Sequence, residues 1–415
     1  MKNIRLRIVT YLFFISGLTS LIYQVYWQKK IFTLLGSDIY ATSMNLSAFM
    51  LGLSFGSYLI GIFVDNIKYR IVIYGLIEIL IGVFALQFDI IISRLTPFLH
   101  NTYNLFFLSN PLYYHSIKFI LLFLILLIPT MLMGATLPLL IRELTPNINL
   151  LGTITANLYS LNTLGAMFGV FFSGFFLIYH FGMEMTLWIA VTLNLLVGLF
   201  AILLYGFKSQ LSELKLEEPS IDENNNKTNF NDVNFNIHLS TFIIGFSILS
   251  MEVIWTRIQV QYFSATVHSF SIMLFFVLLG LYWGSTLSKK FIDKRKDLTD
   301  IFTYLILAMG IAISFTGLLI YILPSLYIKF VFSLNSIFNN KDSWFLITII
   351  SKSICASLFI LFPCIISGIL FPIAVKISSN SNQSIGKTTS VIYYWNTIGS
   401  VLGPLTTAFV LIPLL

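Results

Sequence analysis

Two stretches of the chain match residue for residue around a tryptophan. Tyr23-Gln24-Val25-Tyr26-Trp27-Gln28-Lys29 and Met251-Glu252-Val253-Ile254-Trp255-Thr256-Arg257 place Gln24 opposite Glu252 and Lys29 opposite Arg257. Both lie at the ends of long apolar runs. An ionisable group there is costly to bury and is by default a candidate for function; a carboxyl would hold a cation or a proton. The plainer reading makes Trp27, Trp255, Lys29 and Arg257 anchors at the membrane interface, with the acid paired locally. Glu78 stands mid-run with no acidic counterpart at Ile306, and is read equally as a proton-coupling group or a packing residue. Tyr159, Asn162, Gly165 and Gly169 recur at helical spacing, as do Tyr393, Asn396, Gly399 and Gly403. Small residues with an amide are usual where helices pack closely; a contact to a solute is the sharper reading. The candidate substrate-binding residues are therefore Gln24, Glu252, Asn162, Asn396, Tyr159, Tyr393 and Glu78. No catalytic residue, cofactor or metal site is expected: no glycine-rich nucleotide fingerprint, Ser/His/Asp set or ligand cluster is present. Cys355 and Cys364 share one apolar segment without metal spacing.

These residues need membrane helices to position them. Of 415 residues 57% are hydrophobic and only 10% charged, far below the roughly 25% charge of a soluble domain. A soluble enzyme, a disordered protein and a disulfide scaffold are excluded. Eleven runs reach the roughly 20 apolar residues that cross a bilayer: 8–27, 39–64, 71–93, 113–141, 151–178, 184–206, 239–263, 266–288, 300–323, 345–375 and 385–413. The first lacks a cleavage site and is read as a retained span. With the N-terminus cytoplasmic, 16 of the 24 Lys and Arg fall inside, as the positive-inside rule asks. The pI of about 9.2 thus reflects short loops rather than nucleic-acid binding. Residues 207–238 are polar and expected to form a disordered cytoplasmic linker.

The chain repeats itself. A shift of 228 carries Gly17, Val25, Trp27, Gly52, Gly56, Ser57 and Asp65 onto Gly245, Val253, Trp255, Gly280, Gly284, Ser285 and Asp293. A shift of 234 carries Pro129, Gly134, Pro138, Gly152, Tyr159, Asn162, Gly165 and Gly169 onto Pro363, Gly368, Pro372, Gly386, Tyr393, Asn396, Gly399 and Gly403. The expected fold is an all-α polytopic membrane protein with two parallel, major-facilitator-like six-helix repeats. Residues 1–206 form the first repeat. Residues 239–415 form the second, cut to five spans, because span six maps beyond Leu415. The prolines are expected to interrupt spans four and ten.

The runs Ser16-Gly17, Tyr23 to Lys29, Phe49 to Ser57, Gly134-Ala135-Thr136-Leu137-Pro138 and Tyr159 to Ala166 resemble the membrane domain of bacterial fused major-facilitator/spermidine-synthase-like proteins. Lys29 stands where that pattern has Arg; Arg257 keeps it. The soluble synthase domain is absent from these residues, so no catalytic residue carries over. The segment Gly61 to Arg70 resembles the facilitator loop in which an acid and bases latch the halves. That resemblance implies a gating set of Asp65, Lys68, Arg70 and Asp293, with Lys29 and Arg257 added. The expected location is the bacterial inner membrane. Partners are the lipid bilayer, a small solute such as a cationic amine, and a separate synthase domain, with no nucleic acid. The function expected is a transporter-like module. The alternatives are a non-transporting scaffold, or a fragment of a membrane-bound aminopropyltransferase-like enzyme.

Overall fold

The computed structural model describes residues 2–35, 39–106, 110–209, 230–263, 267–295, 297–338, 344–379 and 384–414. Among these residues there is no strand, and eleven long helices are present: α1 (Lys2–Leu35), α2 (Ile39–Phe63), α3 (Arg70–Phe106), α4 (Pro111–Leu144), α5 (Leu151–Phe172), α6 (Ile178–Ser209), α7 (Phe230–Phe263), α8 (Val267–Ser288), α9 (Leu298–Phe338), α10 (Trp344–Ser378) and α11 (Ile385–Thr406). In lipid a helix is the structure that satisfies every backbone group within one segment. Several helices outrun their apolar cores: α3 and α9 continue well past residues 93 and 323. Of the expected linker, residues 210–229 lie outside the described residues. Residues 230–238 are already helical and open α7.

The prolines do not interrupt the fourth helix of either half. Helix α4 runs continuously through Pro129 and Pro138, and α10 through Pro363 and Pro372. A proline removes one N–H and one helical bond, and close neighbouring helices let a membrane helix tolerate that loss. The chain breaks instead at Gly182, whose φ of 75° and ψ of 179° interrupt the first turns of α6. A residue with a Cβ rarely adopts that conformation.

In the first half α1 packs on α5, α2 on α4 and α3 on α6; in the second, α7 packs on α11 and α8 on α10. Glycines set these distances. A Cβ on Gly165 would lie 1.9 Å from the Phe14 carbonyl oxygen, and one on Gly399 would lie 2.0 Å from that of Phe242. Phe14 and Phe242 are themselves related by 228, so each repeat shift carries one side of the contact. A single π turn follows α5 at Ser173–Leu177 and another follows α11 at Thr407–Leu411, again 234 apart. The halves meet along two seams, α2 with α11 and α5 with α8. Exchanging the repeats turns one seam into the other, which defines a pseudo-two-fold axis between the halves. Helix α6 covers α3, whereas Ile311 and Phe315 on α9 are exposed among the described residues.

Gly165→Val and Gly399→Val would each force the first and fifth helices of one half apart. Overpacking of this kind costs about 1–3 kcal/mol. The expected outcome is a lowered melting temperature for each detergent-solubilised variant, measured by size-exclusion chromatography after heating. Gly310→Val, in open space, should melt like the parent.

Candidate functional site

Two structures occupy the midline between the halves: a polar cleft and, on the side where α1 begins, a double latch. The cleft is lined by Gln24 and Gln28 on α1, Thr42, Asn45 and Leu46 on α2, Glu252, Val253 and Thr256 on α7, and Phe270 on α8, and is narrow, with a cavity of about 10 Å³, room for about one water. Gln24 and Gln28 are one helical turn apart, as are Glu252 and Thr256, so each pair shares one helix face. The 228 shift relates the pairs to each other. Gln24 is 6% and Glu252 5% exposed, so the carboxyl is enclosed by the protein. Glu252 makes no ion pair among the described residues, and Arg257 is exposed. The local ion pair that would make Glu252 structural is not formed. Further along the same α7 face, Gln259 is 1% exposed, with neither amide atom hydrogen-bonded among the described residues; Ser43 Oγ and Asn45 Oδ1 on α2 are likewise buried without partners there.

Tyr159 and Tyr393 do not reach this cleft. They sit on either side of Phe371, with ring centroids 4.8 and 6.0 Å away. The three rings from α5, α10 and α11 form an aromatic layer shared by both halves. Asn162 lies against Gly17, and Asn396 donates from Nδ2 to the Thr241 carbonyl at 3.1 Å. Both asparagines therefore hold the first helix of their half to the fifth. Glu78 is remote from the cleft lining, buried among α1, α3 and α6.

The latch follows from helix-end chemistry. The first amides of a helix lack partners within it, and a carboxylate there is favoured by the helix dipole. Asp65, just after α2, accepts from the amides of Gly386 and Lys387 at 3.0 and 2.9 Å, and pairs with Arg142 at 2.8 Å. Asp293, just after α8, accepts from Gly152 and Thr153 at 3.2 and 2.7 Å, and pairs with Lys376 at 2.9 Å. Each aspartate thus caps the fifth helix of the opposite half. Arg70 donates to the carbonyls of Val64 and Asp65 at 2.8 and 2.6 Å and so fixes the turn that carries the acid. Lys68 is exposed. Lys29 and Arg257 belong to the far ends of α1 and α7, across the membrane from the aspartates, and take no part in this latch. Arg142 and Lys376 are the partners that sequence reasoning misses. They are related by the 234 shift, which is the available signal.

The seams beside the latch are unlike. On α2–α11, Ser47 and Ser57 donate to the carbonyls of Val401 and Ser390 at 2.9 and 3.1 Å, and Gly61 lies against Ser390. On α5–α8 the position equivalent to Gly61 is Lys289, whose Nζ donates to Asn157 Oδ1 at 3.0 Å. Partial burial lowers the Lys289 ammonium from its ordinary 10.5 to about 8.

Neither a protein-family model nor a curated protein matches this sequence. Solved structures do resemble its fold. A major facilitator superfamily transporter, FucP, in the outward conformation has a TM-score of 0.57 at 13% identity, covering 99% of this chain and 92% of its own. A bacterial homologue of the iron transporter ferroportin, outward-facing, scores 0.54 at 12% identity over 98% of this chain and 92% of its own. The human organic anion transporter MFSD10 scores 0.53 at 14% over 97% and 92%. The chain is an integral membrane protein with the major-facilitator fold.

Two outcomes test the latch. Asp65→Ala removes a cap and an ion pair, and loss of a cap alone costs about 0.5–2 kcal/mol; opening on that side should rise roughly tenfold for each 1.4 kcal/mol. A cysteine placed at the buried Ser390 should then react correspondingly faster with maleimide, over a low background because Cys355 and Cys364 are buried. The second concerns pH. Lys289 binds its proton less tightly in the closed seam than in water, so raising pH from about 8 towards 10.5 favours closure, and below that window its charge opposes closure. Labelling of the same cysteine at position 390 is expected to slow as pH rises, after correction for thiol ionisation, and Lys289→Met should flatten the profile.

Proposed function

We propose that this chain is a solute transporter that works by alternating access, with the cleft between α1, α2 and α7 as its binding site. The observation that carries the reading is the convergence of Gln24, Gln28, Asn45, Glu252 and Thr256 on one cleft between the halves, with a latch across the midline on the side where α1 begins. The halves are joined by helix seams and by helix-capping hydrogen bonds at the membrane surface, which suits rocking of one half against the other. Glu252 is the single charged side chain among the described residues of the cleft lining. A buried carboxylate needs a counter-charge, and a solute with a protonated amine supplies one, while the amides and hydroxyls accept or donate to its polar groups. A small cationic amine is the solute class this lining fits best.

The scaffold reading requires a dry, fully packed midline. The unpartnered buried groups at Ser43, Asn45 and Gln259 weigh against it, since such groups are normally satisfied by a ligand or water. The synthase link rests on resemblance alone and contributes no residue to the site.

The test is binding followed by flux. Small diamines should raise the melting temperature of the purified protein in a concentration-dependent way; ligand at 100 times its Kd adds about 2.7 kcal/mol. Glu252→Gln should abolish both that shift and uptake into proteoliposomes while the ligand-free melting temperature stays near the parent value. Equal diamine response in Glu252→Gln, or a response to neutral sugars instead, would overturn the cationic assignment.

A further inference from the structure

A second buried carboxyl lies outside the cleft, inside the first half alone. Glu78 on α3 is 1% exposed. Ser16 Oγ donates to its Oε1 at 2.6 Å, and Asn194 Nδ2 donates to its Oε2 at 3.0 Å and to its backbone carbonyl at 2.7 Å. Thr19 hydrogen-bonds onward to the Asn194 amide oxygen and to the Ser16 carbonyl. These partners come from α1 and α6, so three helices close around one carboxyl. Two phenols complete the surroundings. Tyr74 lies against Ser16 and Glu78, and Tyr23 faces the same carboxyl. Both hydroxyls are buried and neither makes a hydrogen bond of good geometry.

The cluster is built around a carboxyl that no base accompanies among the described residues. Glu78 makes no ion pair among the described residues. The titratable groups that face it are Tyr23 on α1 and Tyr74 on its own helix; α6 presents the neutral Asn194, and no base faces it among the described residues. An unpaired carboxylate in such a place is costly, whereas a carboxylic acid is an acceptor and a donor at once. The unused Tyr74 hydroxyl beside it can accept the acid's O–H. A purely structural role is better served by a neutral side chain, as the second half shows: its equivalent position is Ile306.

We propose that Glu78, with Ser16, Tyr74 and Asn194, is a proton-binding site that loads and unloads as α1 moves. Helix α1 gives the coupling its mechanics. Ser16, Thr19 and Tyr23 lie on one face, at i, i+3 and i+7, and hold the carboxyl. Gln24 and Gln28 lie on another and line the cleft. A tilt of α1 that changes the cleft therefore also lifts the Ser16–Tyr23 face from Glu78. Water then enters, the carboxyl O–H bond breaks, and the proton passes to that water, leaving a hydrated carboxylate. The carboxylate takes a proton back from water while the site is open, and return of α1 then expels the remaining water from around the neutral acid. This site stands whether or not the cleft takes a cation.

Difference infrared spectroscopy of the full chain in lipid nanodiscs reads the carboxyl directly and needs no solute. The expected result is a protonated-carboxyl C=O band that disappears in Glu78→Gln, remains in Glu252→Gln, and bleaches reversibly as the buffer is made alkaline. Tyr74→Phe removes one oxygen only and should shift the same band, which keeps the site testable if Glu78→Gln does not fold. No Glu78-dependent band at any pH would overturn the proposal. So would a band unchanged by pH as long as the protein stays folded, because the proton would then be a fixed structural one. Loss of the band on replacing choline chloride with sodium chloride at constant pH would assign the site to a metal cation instead.

Discussion

The N-terminus of a membrane helix ends in amides that its own turns cannot satisfy, and the two that matter most here are satisfied from across the midline. Asp65 caps α11 and Asp293 caps α5. A cap within one half would tie that half to itself. A cap donated between halves instead makes closure of the N-terminal side depend on the register of both, because moving either half by a few ångströms removes two hydrogen bonds at each aspartate. The bases Arg142 and Lys376 belong to the same half as the acid they pair with, so they hold each carboxylate in position whether the other half is near or far. The latch can open without stranding a bare carboxylate.

That arrangement gives the remaining helices their tasks. Close glycine contacts fuse α1 to α5 and α7 to α11, so the capped helices carry the first helices with them. The first helices line the cleft. In the proposed transport cycle, a change in the solute's hold on Gln24 or Glu252 would pass along α1 and α7 to α5 and α11, and on to the aspartates, through packed helices alone. The Tyr159–Phe371–Tyr393 layer lies between cleft and latch. Each tyrosine sits seven residues, about two turns, beyond the capped glycine of its helix, so these rings must also part when the N-terminal side opens.

Much of this is legible in the sequence because the repeat doubles every signal. Gly165 alone is one small residue in a helix; Gly165 and Gly399 at a shift shared with Asn162 and Asn396 mark an α1–α5 type contact twice. Asp65 and Asp293 stand out in the same way. What escapes is whatever depends on which side of a helix faces inward. Polarity and repetition group Tyr159 and Tyr393 with Gln24, yet both rings pack against Phe371, a residue with no motif of its own. Charge groups Lys29 and Arg257 with the aspartates, although counting helix lengths puts them at the opposite membrane face. The prolines read locally as breaks, but α4 and α10 run through them, since a proline's cost depends on neighbours that a local reading does not contain. Gly182, a glycine outside every motif, makes the true break.

The places where the repeat fails carry as much meaning as those where it holds. Packing positions must match to keep the pseudo-two-fold axis: a glycine on one side demands a glycine on the other. Chemistry has no such requirement, since one solute or one proton occupies one orientation. Among the unmatched pairs are Gln24 with Glu252, Gln28 with Thr256, Ile31 with Gln259, Gly61 with Lys289 and Glu78 with Ile306. In each a polar or ionisable group on one side faces a neutral, smaller or apolar one on the other. Three of the five lie on the α1 and α7 faces that meet the cleft, one lies on a seam between the halves, and one lies in the buried cluster behind α1. A charge confined to one half must be balanced within that half or by something bound, and at Glu252 and Glu78 no balancing base is present among the described residues. The asymmetry therefore supports the proposed assignment of binding chemistry to two carboxyls, linked through α1, on a scaffold whose packing positions stay symmetric.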